Sequence, residues 1–288
     1  MTRLFRKALG FHLVQLVVEA VVIVAVAVLF STLAHKFPLG RNTPALFGGA
    51  VVTAAGIVLA WKGCRRWIER SADREFPLAG MARELPAGLA FGFLLFSGMA
   101  GIVALLGGFE VLGVRGAGQI WSMLAMAVIS GTFEETLFRG IIYRHLEGLL
   151  GSIAALAITS TLFGAAHLAN PGATWFAALA IAVEAGILLG AAYMLTRTLW
   201  LAAGLHAAWN FTQGWVFSVP VSGGEAPLGL LVTRRIGPEW LTGGDFGLEA
   251  SAVAMVVATL AGLAMLEAAR RKGRLVSLAQ ARGKVASG

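Results

Sequence analysis

A chain of 288 residues that is 58% hydrophobic and 13% charged, with a mean hydropathy of +0.79, excludes an ordinary soluble domain, where about 25% of residues carry charge. The net charge of +8 does not indicate a nucleic-acid binder, because the basic residues flank apolar runs and no segment is long enough for a soluble basic surface. One cysteine, Cys64, excludes an internal disulfide and a cysteine-rich zinc site, and reads as an inert thiol at a helix end.

The apolar runs are about 20 residues long, which suits spanning helices and not the ~10-residue alternating strands of a membrane barrel. The first run, 11–33, follows a basic stretch from Met1 to Lys7. It exceeds the about 7–15 residues of a signal-peptide core and ends without a small-residue cleavage site, so it reads as a first span. Further along the chain, hydropathy and loop punctuation predict eight spans, at 10–34, 44–63, 86–108, 118–146, 150–168, 173–196, 198–218 and 249–269. Pro38 and Pro44 mark the first loop, and the Gly- and Pro-rich stretch 220–245 the longest. Segment 64–85 is a charged connector, either an interfacial helix or a solvated linker.

The fold class is therefore all-α: a polytopic membrane protein with about eight transmembrane helices. Residues 1–272 form a single domain, and 273–288 a short, disordered cytoplasmic tail. With the N-terminus inside, eighteen of the 23 lysines and arginines fall on the cytoplasmic side, leaving Lys36, Arg41, Arg115, Arg234 and Arg235 outside. That asymmetry predicts both termini in the cytoplasm. The two halves show no repeat that would suggest an inverted-repeat transporter.

Polar residues inside spans are costly and mark functional sites. Three short patterns stand out: Glu134-Glu135-x-x-x-Arg139, Phe163-x-x-x-His167 and His206-x-x-x-Asn210. Residues four apart share a helix face, so Glu135 can pair with Arg139, while Glu134, rotated by about 100°, points elsewhere and stays available as a base. A salt bridge at a helix end is the competing reading of that motif. His167 follows small residues that let another helix approach closely, and alone it could serve as an interhelical hydrogen bonder. His206 and Asn210 share one face and can bind a water, a metal or an oxyanion. Glu184 reads as a bundle-interior hydrogen bonder and Glu19 as a packing or interface residue, neither with comparable partners.

Such a site suits intramembrane proteolysis, proton-coupled transport or a purely structural network. Within proteolysis, an aspartyl enzyme lacks its aspartates, since Asp73 and Asp245 lie in predicted loops. No His-Glu-x-x-His zinc motif and no Gly-x-Ser-x-Gly turn occurs. Glutamate and histidine on separate helices remain.

In this respect the sequence resembles the CAAX-protease and bacteriocin-processing (CPBP, or Abi) family of intramembrane endopeptidases, whose three signatures occur here in order over residues 86–218. The resemblance implies that Glu134 activates a water, His167 assists, and His206 and Asn210 position the water or stabilise the oxyanion. Glu135 and Arg139, with Phe163, would support the site. It leaves the cofactor as none or Zn²⁺. Glu134, His167 and His206 could supply three zinc ligands, but a ligating carboxylate cannot also be the base, which favours a metal-free mechanism. The implied partners are membrane lipid and a membrane-anchored protein or peptide substrate, with no nucleic acid; composition suggests a bacterial inner membrane. A non-catalytic scaffold or bacteriocin-immunity factor is the rival reading. At about 1.5 Å per residue from the cytoplasmic span ends, Glu134, His167 and His206 lie roughly 18, 25 and 12 Å deep, a mismatch of about two turns that the fold must close.

Overall fold

The computed structural model describes residues 12–281, so the basic residues Arg3, Arg6 and Lys7 and the tail from 282 onward lie outside the described residues. The apolar runs fold as helices. Helix α1 is His12–His35; α2 is Pro44–Gly63, continuing through a wide π-turn, Cys64–Ile68; α3 is Leu78–Leu105. After strand β1 (Phe109–Val114), α4 (Ile120–Glu135) runs through a π-helical stretch, Thr136–Tyr143, into α5 (Arg144–Leu150). Helix α6 (Ser152–Ala166) ends in a 3-10 turn, His167–Ala169. Helix α7 (Trp175–Ile181) joins α8 (Ile187–Thr196) through a second π-turn, and α9 (Trp200–Phe211) runs into a third. Strand β2 (Leu231–Arg235), the short α10 (Glu239–Thr242) and α11 (Ala252–Arg271) complete the order.

Among the described residues six helices are long and apolar enough to cross a membrane, which makes the chain an all-α polytopic membrane protein. The other two expected spans, 118–146 and 198–218, correspond to unbroken helical runs at 120–150 and 200–216. The first is diluted by the charges of its polar motif.

Small residues set the packing. Cβ atoms at Gly88 and Gly92 of α3 would strike the carbonyls of Leu201 and Leu205 on α9, while one at Gly204 would lie 2.6 Å from Leu85 O in return. Gly131 brings α4 equally close to α9, and Gly164 brings α6 against α7. Helices approach this closely only where side chains are absent.

The contacts define two ends. At one, β1 and β2 pair antiparallel from Phe109↔Arg235 to Val114↔Leu231, with a bulge between Val111 and Gly113. Asn42, in the loop before α2, accepts from Trp121 N at 2.9 Å and donates to Gly118 O at 2.9 Å, capping α4 at that same end. At the opposite end, Ser152 N donates to Val276 O at 2.8 Å, and Leu199 N to Glu75 O at 2.7 Å.

Three expectations are corrected there. Segment 64–85 is a solvated connector only in part: Arg66, Arg70 and Arg74 are exposed, but Arg65 and Glu75 are buried and α3 begins at Leu78, ahead of Pro86. Asp73 Oδ1 accepts from the backbone N–H groups of Glu75 and Phe76, both at 3.1 Å, which folds 73–77 back over the bundle. Residues 274–281, expected in a disordered tail, pack instead: Arg274 accepts a hydrogen bond from Arg197, and Ala281 is buried. Glu19, expected without polar partners, is fully buried and bonded to Arg144 Nη2 and His145 Nε2, both at 3.0 Å.

The part of the expected depth mismatch that concerns His206 and Glu134 closes at this same end. The α8–α9 turn is covered by 73–77, with Leu199 fully buried and Trp200 Nε1 donating to Pro77 O at 2.9 Å. Helix α9 thus starts below the surface, and His206 reaches the level of Glu134.

Candidate active site

Helix α4 delivers Glu134 and Glu135 as adjacent residues on different faces. Glu135 is fully buried, and its Oε1 accepts from Arg139 Nη1 at 2.9 Å across one helical turn. Arg139 lies in the π-helical stretch, a widening often found at functional sites. Its Nη2 donates to Ala185 O at 3.1 Å and Gly186 O at 3.3 Å, so one guanidinium ties α4 to the α7–α8 junction. The pairing expected from four-residue spacing is therefore present and buried.

Helix α9 contributes His206, whose Nδ1 donates to the same Glu135 Oε1 at 2.8 Å. That bond fixes the ring and turns Nε2 toward Glu134 Oε2, 4.0 Å away. Glu134 Oε2 has no hydrogen-bond partner among the described residues, while the side chain as a whole keeps 25% exposure. Asn210, one turn beyond His206, donates through Nδ2 to Ser130 Oγ at 2.9 Å. One hydrogen of that amide remains uncommitted.

Phe163 explains why its motif pairs an aromatic with a histidine. The Phe163 carbonyl belongs to the last turn of α6, where carbonyls lack helical partners, and His167 Nδ1 donates to it at 2.7 Å. This leaves His167 Nε2 with a lone pair. The Phe163 ring meets the Arg139 guanidinium at 4.6 Å and the rings of Phe138 at 4.8 Å and His167 at 4.7 Å. It is the packing hub between the ion pair and the two histidines.

All four proposed catalytic positions thus converge. Glu134, His167 and Asn210 line one cavity of about 400 Å³, and His206 with His167 and Asn210 lines a smaller one of about 30 Å³ behind it. Sequence reading missed Ser130, although it lies one turn before Glu134 on the same face. It did not place Glu184 at the site and missed Glu249; both line the smaller cavity. Glu184 is buried and, among the described residues, neither carboxylate oxygen finds the hydrogen-bond partner expected of it. Glu249, just before α11, accepts from Ser222 N, and burial pushes its carboxyl up to about 7 despite that bond.

The alternative zinc set does not form a preassembled ligand cluster among the described residues. Among the described residues, the ligating atoms that gather in threes within 4.8 Å are those of Glu19, Glu69 and His145, not of Glu134, His167 and His206. In that other group the cation is already an arginine. Arg144 bonds Glu19 at 3.0 Å and Glu69 at 2.8 Å, and its Nη2 lies 3.1 Å from His145 Nε2.

Residues 116–212 match a family model described as Rce1-like: Type II CAAX prenyl endopeptidase Rce1-like. The matched segment is about a third of the chain and encloses all three polar motifs, while α1, α2 and α3 lie outside it. No curated protein and no solved structure matches the chain.

Proposed function

We propose that residues 116–212, which match the Rce1-like family model, form the core of a CAAX-protease-like intramembrane endopeptidase in which Glu134 is the base that activates the attacking water. The observation that carries this is the unpartnered Glu134 Oε2 facing His206 Nε2 at 4.0 Å, a gap that one water bridges with a hydrogen bond to each. As the water oxygen attacks the peptide carbonyl, its proton passes to Glu134. The spare Asn210 amide hydrogen faces the developing oxyanion, His206 Nε2 holds the second water proton, and His167 Nε2 offers a further acceptor on the cavity wall. Collapse breaks the C–N bond, and Glu134 returns its proton to the leaving nitrogen.

Glu135 and Arg139 serve as positioning residues: one neutralises the other while fixing the His206 tautomer. We read the route as metal-free rather than as using the Glu134–His167–His206 zinc set, since a carboxylate that ligates zinc cannot also be the base. The proposed setting is a bacterial inner membrane with both termini in the cytoplasm. The substrate is a protein or peptide held at the membrane by its own anchor, with lipid as the only other partner and no nucleic acid.

The test is mass analysis of membrane-anchored peptides incubated with the purified protein in proteoliposomes. Hydrolysis products from wild type that are absent with Glu134→Gln support the assignment. If wild type cleaves nothing, and Glu134→Gln and His206→Ala both lower the melting temperature sharply, the network is that of a scaffold or immunity factor.

A further inference from the structure

The larger cavity has a direction. Its walls come from the first turns of α4 (Met123, Met126), the turn between α6 and α7 (Asn170, Pro171) and the loop after α9 (Val221, Pro227). All of these belong to the end that carries the β1–β2 ribbon and the Asn42 cap.

The opposite end is closed by buried ion pairs and backbone bonds. Arg144 joins Glu69 and Glu19, Arg197 pairs with Glu147, and the α8–α9 turn lies beneath residues 73–77. That closed end is also the basic one. It gathers Arg65, Arg66, Arg70, Arg74, Arg144 and Arg197 together with the last turn of α11, whereas the ribbon end has only Lys36, Arg41, Arg115, Arg234 and Arg235 among the described residues. Basic loops stay on the cytoplasmic side of a membrane. The cavity mouth therefore faces the other way.

The lining also carries a sign. Its carboxylates are Glu134 and, at the rim, Glu225, with no lysine or arginine beside them. A substrate cut three residues from its C-terminus would bring a free carboxylate within about 10 Å of the scissile bond, at ~3.3–3.6 Å per residue. That negative charge would enter an acidic, partly desolvated cavity with no basic group to meet it. An internal peptide bond brings no such charge.

We propose that this site takes its substrate from the non-cytoplasmic face, as an internal stretch of a membrane-anchored polypeptide that has already crossed the membrane. The substrate class rests on the endopeptidase reading above; the direction of the mouth does not.

Two measurements test it. In a Cys64→Ala background expressed in a bacterial inner membrane, Glu225→Cys probes the mouth and the exposed Arg66→Cys the opposite end. A membrane-impermeant maleimide should label Glu225→Cys in intact spheroplasts and Arg66→Cys only in inside-out vesicles. The reversed pattern, or both positions reacting from one side, overturns the orientation. In proteoliposomes, two anchored peptides share one cleavage sequence. One ends in a free carboxylate three residues past the bond; the other continues and is amidated. The continuing peptide should be cut at least about tenfold faster, which corresponds to about 1.4 kcal/mol. Equal rates, or preference for the free carboxylate, overturn the internal-bond assignment. Labelling requires no turnover, so a wrong orientation leaves the endopeptidase reading intact. Failure of wild type to cut either peptide overturns the endopeptidase reading and the substrate class together.

Discussion

His206 and Glu135 are joined across two helices by a 2.8 Å bond from Nδ1 to Oε1, the same oxygen that receives Arg139 at 2.9 Å. One carboxylate oxygen therefore sets both the histidine tautomer and the place of a buried guanidinium. Glu135→Gln keeps an acceptor of the same shape but removes the charge. Breaking a buried pair costs about 3–5 kcal/mol, and loss of an orienting carboxylate lowers turnover even where the geometry survives. The variant should melt lower and cleave more slowly; thermal melts and cleavage rates on the same preparation check both. A wild-type melting curve would show that the pair contributes nothing.

Gly131 lies one turn before Glu135, where a Cβ would stand 2.6 Å from Ala203 O. Gly131→Ala must push α4 away from α9, and overpacking of this kind costs about 1–3 kcal/mol. The same shift widens the gap between Glu134 and His206. Cleavage should fall further than stability does, measured as initial rate against melting temperature. A rate unchanged from wild type would mean that the 4.0 Å juxtaposition is not used.

Arg144 is the cation of a second buried network, bonded to Glu19 and Glu69. Arg144→Ala leaves the buried Glu19 and the half-buried Glu69 without their shared cation and should cost about 3–5 kcal/mol. Burial works against the ionised form of Glu69, but the hydrogen bond with Glu19, the charge of Arg144 and hydrogen bonds from Arg144 and Arg65 hold its carboxyl down to about 2. A depressed pKa contributes stability that is present above the ordinary carboxylate value and lost as pH falls toward 2. Denaturation in detergent from pH 5 downward should show that loss in wild type and much less of it in Glu69→Gln.

Glu249 has the opposite sign. Burial raises its carboxyl to about 7, so its protonated form is favoured in the folded protein. The associated stability is fully present below the ordinary glutamate value and is lost as pH rises through about 7. The melting temperature should decline between pH 5 and pH 8, and Glu249→Gln should flatten that decline. An equally steep decline in the variant would assign it to other groups.

The sequence made the three polar motifs legible because each is local: four-residue spacing on one helix fixes which side chains share a face. Glu135 with Arg139 and His206 with Asn210 follow from that rule alone. Partners from distant segments were not legible. Nothing local says that Glu19 in α1 meets Arg144, 125 residues later. Nor does it say that Ser222 and Glu249 close the back of the site. Segment 64–85 misled because its charged residues all read as solvated, whereas Arg65, Glu69, Asp73 and Glu75 form ion pairs and residues 73–77 roof the α8–α9 turn. The part of the depth mismatch that concerns His206 and Glu134 followed from that same reading.

The chemistry assigned to Glu134 is tested most directly by the cleavage rate of Glu134→Gln on a membrane-anchored peptide, with the melting temperature taken on the same sample. Glutamine matches the size of the side chain but cannot accept the water's proton, and general-base catalysis contributes about 10²–10⁴-fold. The expected result is a rate reduced by that order with the melting temperature unchanged. A variant that cleaves at the wild-type rate would contradict the assignment of Glu134 as the base.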